Sequence, residues 1–283
     1  MPGRSGGRQW TSDCGDRQRG ISTPAPRTRP RLPHHDRAQR ARGNVRVSSS
    51  PPLISIVLPV HNQADHIERL VRDYVSELQK VPAPYELLLV ENASRDESLA
   101  VCRRLETELP CVRVVSSEKG GWGRAVRLGL ASVEGDVICY TNSARTSPED
   151  LVICLLYAVA YGGIVVKANR KIRENWRRRL GSLLFNIECR TLFDLSNWDV
   201  NGTPKVFPRS FDKLLQLQRV DDLIDTEFCV LCRKHDYPMI EVPIFSTRRH
   251  GGRSTTGYGS ALRLYWGAAA LWRKGDWLAR QSA

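Results

Sequence analysis

A long hydrophobic run is missing from this 283-residue sequence. The longest apolar stretch covers residues 151–166, which is shorter than the ~20 residues that a membrane-spanning helix needs. The pair Gly162-Gly163 divides this stretch into a helix-like part and a strand-like part. We therefore expect no transmembrane helix.

Paired cysteine clusters are also missing. The eight cysteines are scattered through apolar surroundings, a pattern typical of reduced, buried thiols in a cytoplasmic protein. Cys229 and Cys232 form one CxxC pair, but a zinc site needs a second pair or two histidines at suitable spacing. We interpret this pair as part of a helix face that points into the core.

The first fifty residues have almost no aliphatic side chains. They contain eleven Arg and three Asp, which give them most of the formal net charge of +13. Such a segment cannot bury enough apolar surface to offset its chain entropy, so residues 1–50 are predicted to be a disordered basic tail. The tail also lacks the apolar core of a secretory signal. Because the basic character belongs mainly to the tail, we do not expect a nucleic-acid partner.

Strand-like and helix-like segments alternate from Leu53 onward. The runs ISIVLPV and YELLLVE have the composition of strands, and apolar residues recur at helical spacing between them. The alternation continues through CVRVVSS, GRAVRLGLASV and DVICYTN. Nearly continuous hydrophobic strands separated by helices predict an α/β fold, with a mostly parallel sheet flanked by helices on both faces.

Polar residues follow each of the first four predicted strands. In parallel α/β sheets, ligands bind beyond the carboxyl ends of the strands, where these loops gather. The four loops cover residues 59–63, 91–96, 118–123 and 141–143. One polar residue after a strand is usually only a helix cap, but four such loops in series indicate a ligand site.

The order of the motifs resembles that of the family-2 glycosyltransferases. VLPVHNQ, LLLVENASRDES, GGWGRAVRLGLASVEGDVICY and SPEDL follow one another as the motifs of that family do. The later segments DVNGTPKVFPR and EFCVLCRKHDYPMIEVPIFSTRRHGGRST look most like the dolichyl- and polyprenyl-phosphate mannose or glucose synthases. The resemblance runs from about Ile54 to Ser254 and implies the GT-A fold of nucleotide-diphospho-sugar transferases.

The end of the chain combines aromatic and basic side chains. Trp266, Trp272 and Trp277 are interspersed with Arg and Lys in this region. This composition is typical of a helix lying on an anionic membrane, and equally of a helix docked on the protein's own surface. We expect a GT-A domain at residues 51–258 and a C-terminal amphipathic helical extension at residues 259–283.

The resemblance implies a binding site for a nucleotide-diphosphate sugar. Base and ribose would lie against the first two loops, and the glycines of the third loop would let the backbone approach the phosphates. The fourth loop would border the sugar and diphosphate. The residues implied for this site are Pro59, His61, Glu91, Asn92, Gly121, Arg124, Asn142 and Ser143.

One motif departs from the family pattern. Family members carry two Asp after the fourth strand, and these Asp hold a divalent cation. Alignment on SPEDL places Thr141 and Ser143 at those positions, with Asn142 between them. Neutral hydroxyls cannot supply the anionic oxygen ligands that Mg²⁺ or Mn²⁺ prefers.

Three interpretations of this departure remain open. In the first interpretation, the protein is a metal-independent transferase in which Arg145, Arg170 or Arg249 stabilises the leaving diphosphate. In the second interpretation, Mg²⁺ or Mn²⁺ is held weakly through the nucleotide phosphates, with help from Asn142 and nearby carboxylates. In the third interpretation the chain is an inactive nucleotide-sugar-binding relative or a scaffold.

The resemblance implies polyprenyl phosphate as the acceptor and an inverting transfer of a hexose. Asp225 stands near the position of the family's acceptor-side acid and is the predicted catalytic residue. The cations predicted to contact phosphate or acceptor are Arg145, Arg170, Lys205 and Arg249. A lipid acceptor would bring a cytoplasmic protein into peripheral contact with the inner face of the membrane.

Overall fold

Residues 51–171, 176–245 and 258–273 are described by the computed structural model. The predicted tail at residues 1–50 lies outside the described residues, as does Arg249. No helix in the described ranges is long and apolar enough to cross a membrane.

Strands and helices alternate through the first part of the described chain, as the sequence pattern predicts. They are β1 (Ile54–Val60), α1 (Ile67–Leu78), β2 (Tyr85–Asn92), α2 (Ser98–Glu108), β3 (Val112–Ser117), α3 (Trp122–Ser132), β4 (Val137–Tyr140), α4 (Pro148–Tyr161) and β5 (Val165–Arg170). The predicted division at the glycine pair is confirmed, because Gly162 and Gly163 adopt positive φ angles of 52° and 60° between α4 and β5.

The later elements are less regular in their alternation. They are α5 (Trp176–Phe193), β6 (Lys205–Pro208), a short 3₁₀ helix (Asp212–Leu215), α6 (Ile224–Lys234), β7 (Met239–Ile244) and α7 (Tyr258–Arg273). Within the described part of the chain, seven strands form one sheet in the order β3-β2-β1-β4-β6-β5-β7.

The sheet is mostly parallel, which confirms the predicted fold class. Strand β1 pairs in parallel with β2 and β4, β2 with β3, and β5 with β7. Strand β6 is antiparallel to both of its neighbours. The register sets Val60 opposite Glu91 and Glu91 opposite Ser116, so the carboxyl ends of the first three strands meet at one edge.

Helices cover both faces of the sheet. Alternate strand residues point to opposite faces, so Ile56 and Leu58 belong to one hydrophobic cluster, whereas Val57 belongs to the other. The first cluster includes buried residues of α1, α2 and α4, and the second includes residues of α3, α5, α6 and α7. The two-sided arrangement predicted from the alternation is therefore confirmed.

The cysteines in the described residues form no disulfides. Burial raises the pKa of the Cys102, Cys154 and Cys189 thiols to about 12. Because the thiolate is the reactive form, we expect an aromatic disulfide reagent to modify these thiols slowly in the native protein and rapidly after denaturation. Absorbance of the released reagent measures both rates. Rapid native modification of any thiol besides Cys111, which is only half-buried, and Cys14 would contradict this expectation.

Candidate functional site

The four predicted loops lie together at the carboxyl edge of the sheet. The first and second are joined because the Asn62 amide nitrogen donates to Ser94 Oγ at 3.1 Å. The second and third are joined where the Gly121 amide donates to Asn92 Oδ1 at 3.1 Å. The fourth reaches the first through Ser143 Oγ, which donates to the carbonyl of Pro59 at 2.7 Å. Loops that are distant in sequence thus form one linked edge.

His61 is held in one orientation within this edge. Its Nδ1 lies 2.7 Å from the carbonyl oxygen of Asn92, and a carbonyl can only accept, so Nδ1 carries the proton. Its Nε2 then accepts from Asn62 Nδ2 at 3.0 Å. The sequence-predicted residues His61 and Asn92 are therefore in direct contact.

Glu91 is buried and already engaged by protein donors. Its Oε1 accepts from the backbone amide of Ser94 at 2.6 Å, and its Oε2 accepts from Ser116 Oγ at 2.7 Å. These bonds connect the end of β2 to its own loop and to β3. The observed contacts of Glu91 thus stabilise the end of β2 and its loop, and a direct hydrogen bond to a nucleotide stays a prediction.

The third loop leads directly into α3. Gly121 precedes the helix with a φ of +144°, a conformation that side chains other than hydrogen strongly disfavour. Arg124 follows in the first turn, where its backbone amide donates to the carbonyl of Val220 at 3.2 Å. Its side-chain Nε is buried and has no hydrogen-bond partner among the described residues. A helix N-terminus with an unsatisfied guanidinium nitrogen suits an anionic ligand.

The fourth loop has neutral side chains that are bonded within the protein. Thr141 Oγ1 lies 2.7 Å from Thr146 Oγ1, and Asn142 Oδ1 accepts from the Ala144 amide at 3.0 Å. The Ser143 hydroxyl lies within hydrogen-bond distance of two acceptors, the Pro59 carbonyl oxygen and Gln63 Oε1, the latter at 3.0 Å. Within the described ranges, no three His, Cys, Asp or Glu side chains are grouped so that they could hold a metal ion. The side chains here do not fit a protein-held divalent cation.

Asp225 lies at the centre of a buried hydrogen-bonded network. Its Oδ2 accepts from the indole nitrogen of Trp122 at 3.0 Å, and its Oδ1 accepts from the Tyr140 hydroxyl at 3.0 Å and from Lys205 Nζ. Burial, with the charge of Asp225, raises the pKa of Tyr140 well above its usual value, so this hydroxyl stays a donor. The network joins α6, α3, β4 and β6.

Lys205 lies inside the core rather than at the loop edge. Its side chain is fully buried, and Nζ lies 5.4 Å and 5.6 Å from the ring centroids of Tyr140 and Phe228. The Lys205 ammonium group is therefore stabilised by its ion pair with Asp225 and by the two aromatic rings. A contact between Lys205 and a phosphate stays a prediction that these contacts do not favour.

Arg170 is paired with a buried carboxylate. Its Nε and Nη2 donate to the two oxygens of Asp199, each at 2.8 Å, in the fork geometry that arginine and carboxylates prefer. Burial alone would lower the pKa of Arg170, but the charge of Asp199, its hydrogen bonds to Arg170 and the charge of Asp225 together raise this pKa. The other predicted cations are placed differently: Arg145 lies two residues after the fourth loop and is half-buried, and Arg249 is outside the described residues.

The structure adds a third ion pair with a buried member, which the sequence analysis missed. Lys167 is fully buried, and its Nζ lies 2.8 Å from Glu241 Oε1. Lys167 and Lys205 are direct partners in the β5–β6 register. Like charges directly opposite each other repel, so each lysine needs its own carboxylate. A lysine within the apolar run IVVKANR was the available signal.

Solved structures of a glycosyltransferase share this architecture. Glucosyl-3-phosphoglycerate synthase from Mycobacterium tuberculosis, solved with Mn²⁺, uridine diphosphate and glucosyl-3-phosphoglycerate, matches with a TM-score of 0.59 and 18% identity over 77% of this chain and 78% of that chain. The same synthase solved with uridine diphosphate matches with a TM-score of 0.60 and 17% identity over 79% of each chain. The chain therefore shares the GT-A fold of these structures.

The family follows from a family model. The model described as glycosyl transferase family 2 matches residues 55–215, and the chain belongs to this family.

Two curated relatives are undecaprenyl-phosphate 4-deoxy-4-formamido-L-arabinose transferases. The one from Sodalis glossinidius (strain morsitans) is 26% identical over 71% of this chain and 62% of its own length. The one from Pseudomonas fluorescens (strain SBW25) is 28% identical over 75% and 61%. The chain thus spans less than two thirds of these relatives.

Proposed function

We propose that this chain transfers a sugar, with inversion, from a nucleotide-diphosphate donor to a polyprenyl phosphate. The observation that carries the proposal is the linked four-loop edge of the sheet in a family-2 chain. The names of the relatives, which are undecaprenyl-phosphate sugar transferases, support the acceptor class. The predicted residues Pro59, His61, Asn92 and Gly121 take part in the contacts that shape this edge.

In this proposal, an arginine side chain contacts the donor diphosphate. Arg124 combines an unsatisfied side-chain nitrogen with a position in the first turn of α3. A guanidinium stabilises negative charge on phosphate oxygens without needing a metal. Because the side chains of residues 141–143 are neutral and internally bonded, no divalent cation held at this loop is assigned a role.

The acceptor needs no general base in this proposal. A lipid phosphate is already anionic at neutral pH, so no proton has to be removed from it before attack. Asp225 accepts three hydrogen bonds from protein donors, an arrangement that suits an anchoring carboxylate better than a proton acceptor. We therefore place Asp225 on the acceptor side as a positioning residue.

The test is a transfer assay with the full-length protein. UDP- and GDP-activated hexoses and pentoses are incubated with undecaprenyl phosphate, with EDTA or with added Mg²⁺ or Mn²⁺. We expect a glycosylated lipid phosphate to form at the same rate in EDTA. Loss of turnover in EDTA, with recovery on adding a cation, would show that metal enters through the nucleotide phosphates.

Arginine variants identify the donor site in the same assay. Arg124→Ala is expected to lower kcat/KM for the donor by about tenfold, since a hydrogen bond to a charged group is lost. Arg103→Ala is the matched control, because Arg103 is half-exposed on α2 and pairs with Glu106. Equal effects of the two substitutions would argue against the assignment of Arg124.

A second candidate is a nucleotide-sugar-binding relative without transferase activity. The neutral triplet 141–143 is the observation that favours it, since this loop lacks the anionic ligands of a cation site. Calorimetry separates the candidates. Donor binding without turnover for any donor and acceptor would support the inactive relative.

A further inference from the structure

Helices α5 and α7 each expose a stripe of large apolar side chains. On α5 the exposed residues recur at intervals of three and four, which places them on one face of the helix. They are Leu180, Leu183, Leu184 and Ile187, each between 45% and 50% exposed. On α7, Leu262, Trp266 and Trp272 are exposed, and Trp266 is 71% exposed. We call these seven residues the α5–α7 surface.

The two helices are neighbours and are anchored to the domain by their other faces. Tyr265 on α7 donates through its hydroxyl to the carbonyl of Gly181 on α5 at 2.6 Å. Its ring also packs edge-on against Phe185, with 5.6 Å between the centroids. Ala268 and Leu271 of α7 are buried in the core beneath the sheet. The exposed stripes therefore lie on helices whose packing sides are already satisfied.

The charges of α5 and α7 are almost entirely positive. Sequence positions 176–193 contain four Arg and one Glu, and positions 258–273 contain two Arg and no acidic residue. Helix α4 also exposes apolar residues, namely Ile153, Leu156, Tyr157 and Tyr161. Its only charged residues are the acidic Glu149 and Asp150. The two apolar faces thus differ in the sign of the charge that accompanies them.

Both helices also contact chain segments that adjoin Asp199 and Asp225. Asn186 of α5 accepts from the amide of Val200, next to the Asp199 that binds Arg170. A Cβ added to Gly267 of α7 would lie 2.4 Å from Leu223, so α7 packs closely on the residue that precedes α6. The α5–α7 surface therefore adjoins the acceptor side of the site.

We infer that the α5–α7 surface lies on an anionic lipid bilayer. The inference rests on the proposed function, because a polyprenyl phosphate acceptor is itself held in a bilayer. Apolar side chains enter the acyl boundary, indoles favour the interface, and arginines attract anionic headgroups. A bilayer bound here brings the lipid phosphate towards Arg170 at the end of β5 and Asp225 at the start of α6.

The test is co-sedimentation of the full chain with vesicles that contain no polyprenyl phosphate. Vesicles of phosphatidylglycerol and phosphatidylcholine are compared with vesicles of phosphatidylcholine alone at one fixed ionic strength, so that the basic tail contributes equally in every variant. We expect binding to the anionic vesicles, and we expect Leu183→Glu with Leu184→Glu to weaken it by about tenfold or more. Trp266→Ser, at a highly exposed position, is expected to weaken it in the same direction.

The matched control is Ile153→Glu with Leu156→Glu on α4, which has similar exposure and the same introduced charge. This control is expected to bind vesicles as the unmodified chain does. Equal binding by the folded α5 and α7 variants, or an equal loss in the control, would overturn the inference. A lipid-free dimer that the α5 substitutions dissociate would also overturn it and identify a self-association surface.

The vesicle assay tests the membrane-binding surface, and the transfer assay tests the proposed function, so a negative result in one does not decide the other. Vesicle binding requires no donor and no turnover, so a chain that binds vesicles and transfers no sugar leaves the surface assignment standing. A chain that transfers sugar to a short-chain water-soluble polyprenyl phosphate but binds no vesicle overturns only the surface. Thermal unfolding of each variant shows that any loss is not a loss of folding.

Discussion

Asp225→Ala is expected to lower the free energy of unfolding by about 3–5 kcal/mol, because it leaves a buried lysine without its counter-charge. Lys205 is fully buried, and Asp225 is its ion-pair partner. The same substitution also leaves the Trp122 indole and the Tyr140 hydroxyl without an acceptor. Urea unfolding followed by circular dichroism measures the change.

A double substitution separates the unpaired charge from the lost packing. Replacing both members of a buried ion pair by apolar residues of similar volume is often neutral or stabilising. Asp225→Leu with Lys205→Met is therefore expected to recover the part of the loss that comes from the unpaired Lys205 charge, whereas the Trp122 indole and the Tyr140 hydroxyl still lack an acceptor. If the double variant is as unstable as the single one, Lys205 is not the reason for the loss. A loss below about 1 kcal/mol in Asp225→Ala would show that the network contributes little.

Gly123→Ala is expected to destabilise the fold by about 1–3 kcal/mol, the usual cost of forcing an extra carbon into a packed site. A Cβ at this position would lie 2.5 Å from the Asp221 carbonyl oxygen and 2.8 Å from that of Arg219. Both atoms belong to the backbone, so the segment 219–221 or the start of α3 has to move. Because α3 begins at the third loop, we also expect weaker donor binding by calorimetry.

Gly181→Ala is the matched control for that substitution. Gly181 lies within α5, and a Cβ there would meet no atom within 4 Å. Alanine is the better helix former, so this variant is expected to be neutral or up to about 1 kcal/mol more stable. Similar losses in both variants would show that the close approach at Gly123 is not the cause.

The first part of the fold could be predicted from local sequence pattern. Hydrophobic runs and helical spacing depend on neighbouring residues only, which is why the elements from β1 to β5 are recognisable in the sequence. Strand β6 was not predicted: it is four residues long, begins with the buried Lys205, and runs antiparallel between β4 and β5. Its direction depends on partners far away in the chain, and no local pattern records them.

The candidate site was likewise predictable only in part. The four loops could be located because each follows a recognisable strand, and the carboxyl ends of parallel strands share an edge. The surroundings of individual side chains could not be predicted. Glu91 was expected to meet a nucleotide, and the structure shows both of its oxygens bonded to Ser94 and Ser116. Lys205 was expected near phosphate and is buried against Asp225.

By itself, the sequence determined the α/β class, the order of the elements from β1 to β5, and the loops that form the site edge, because these depend on local periodicity and on motif order. The tertiary structure alone decided which side chains meet. Trp122 and Tyr140 reach Asp225 across 103 and 85 residues of sequence. It also decided which face of α7 is buried and which is exposed. Such contacts arise only when the chain folds back on itself, so residue spacing carries no record of them.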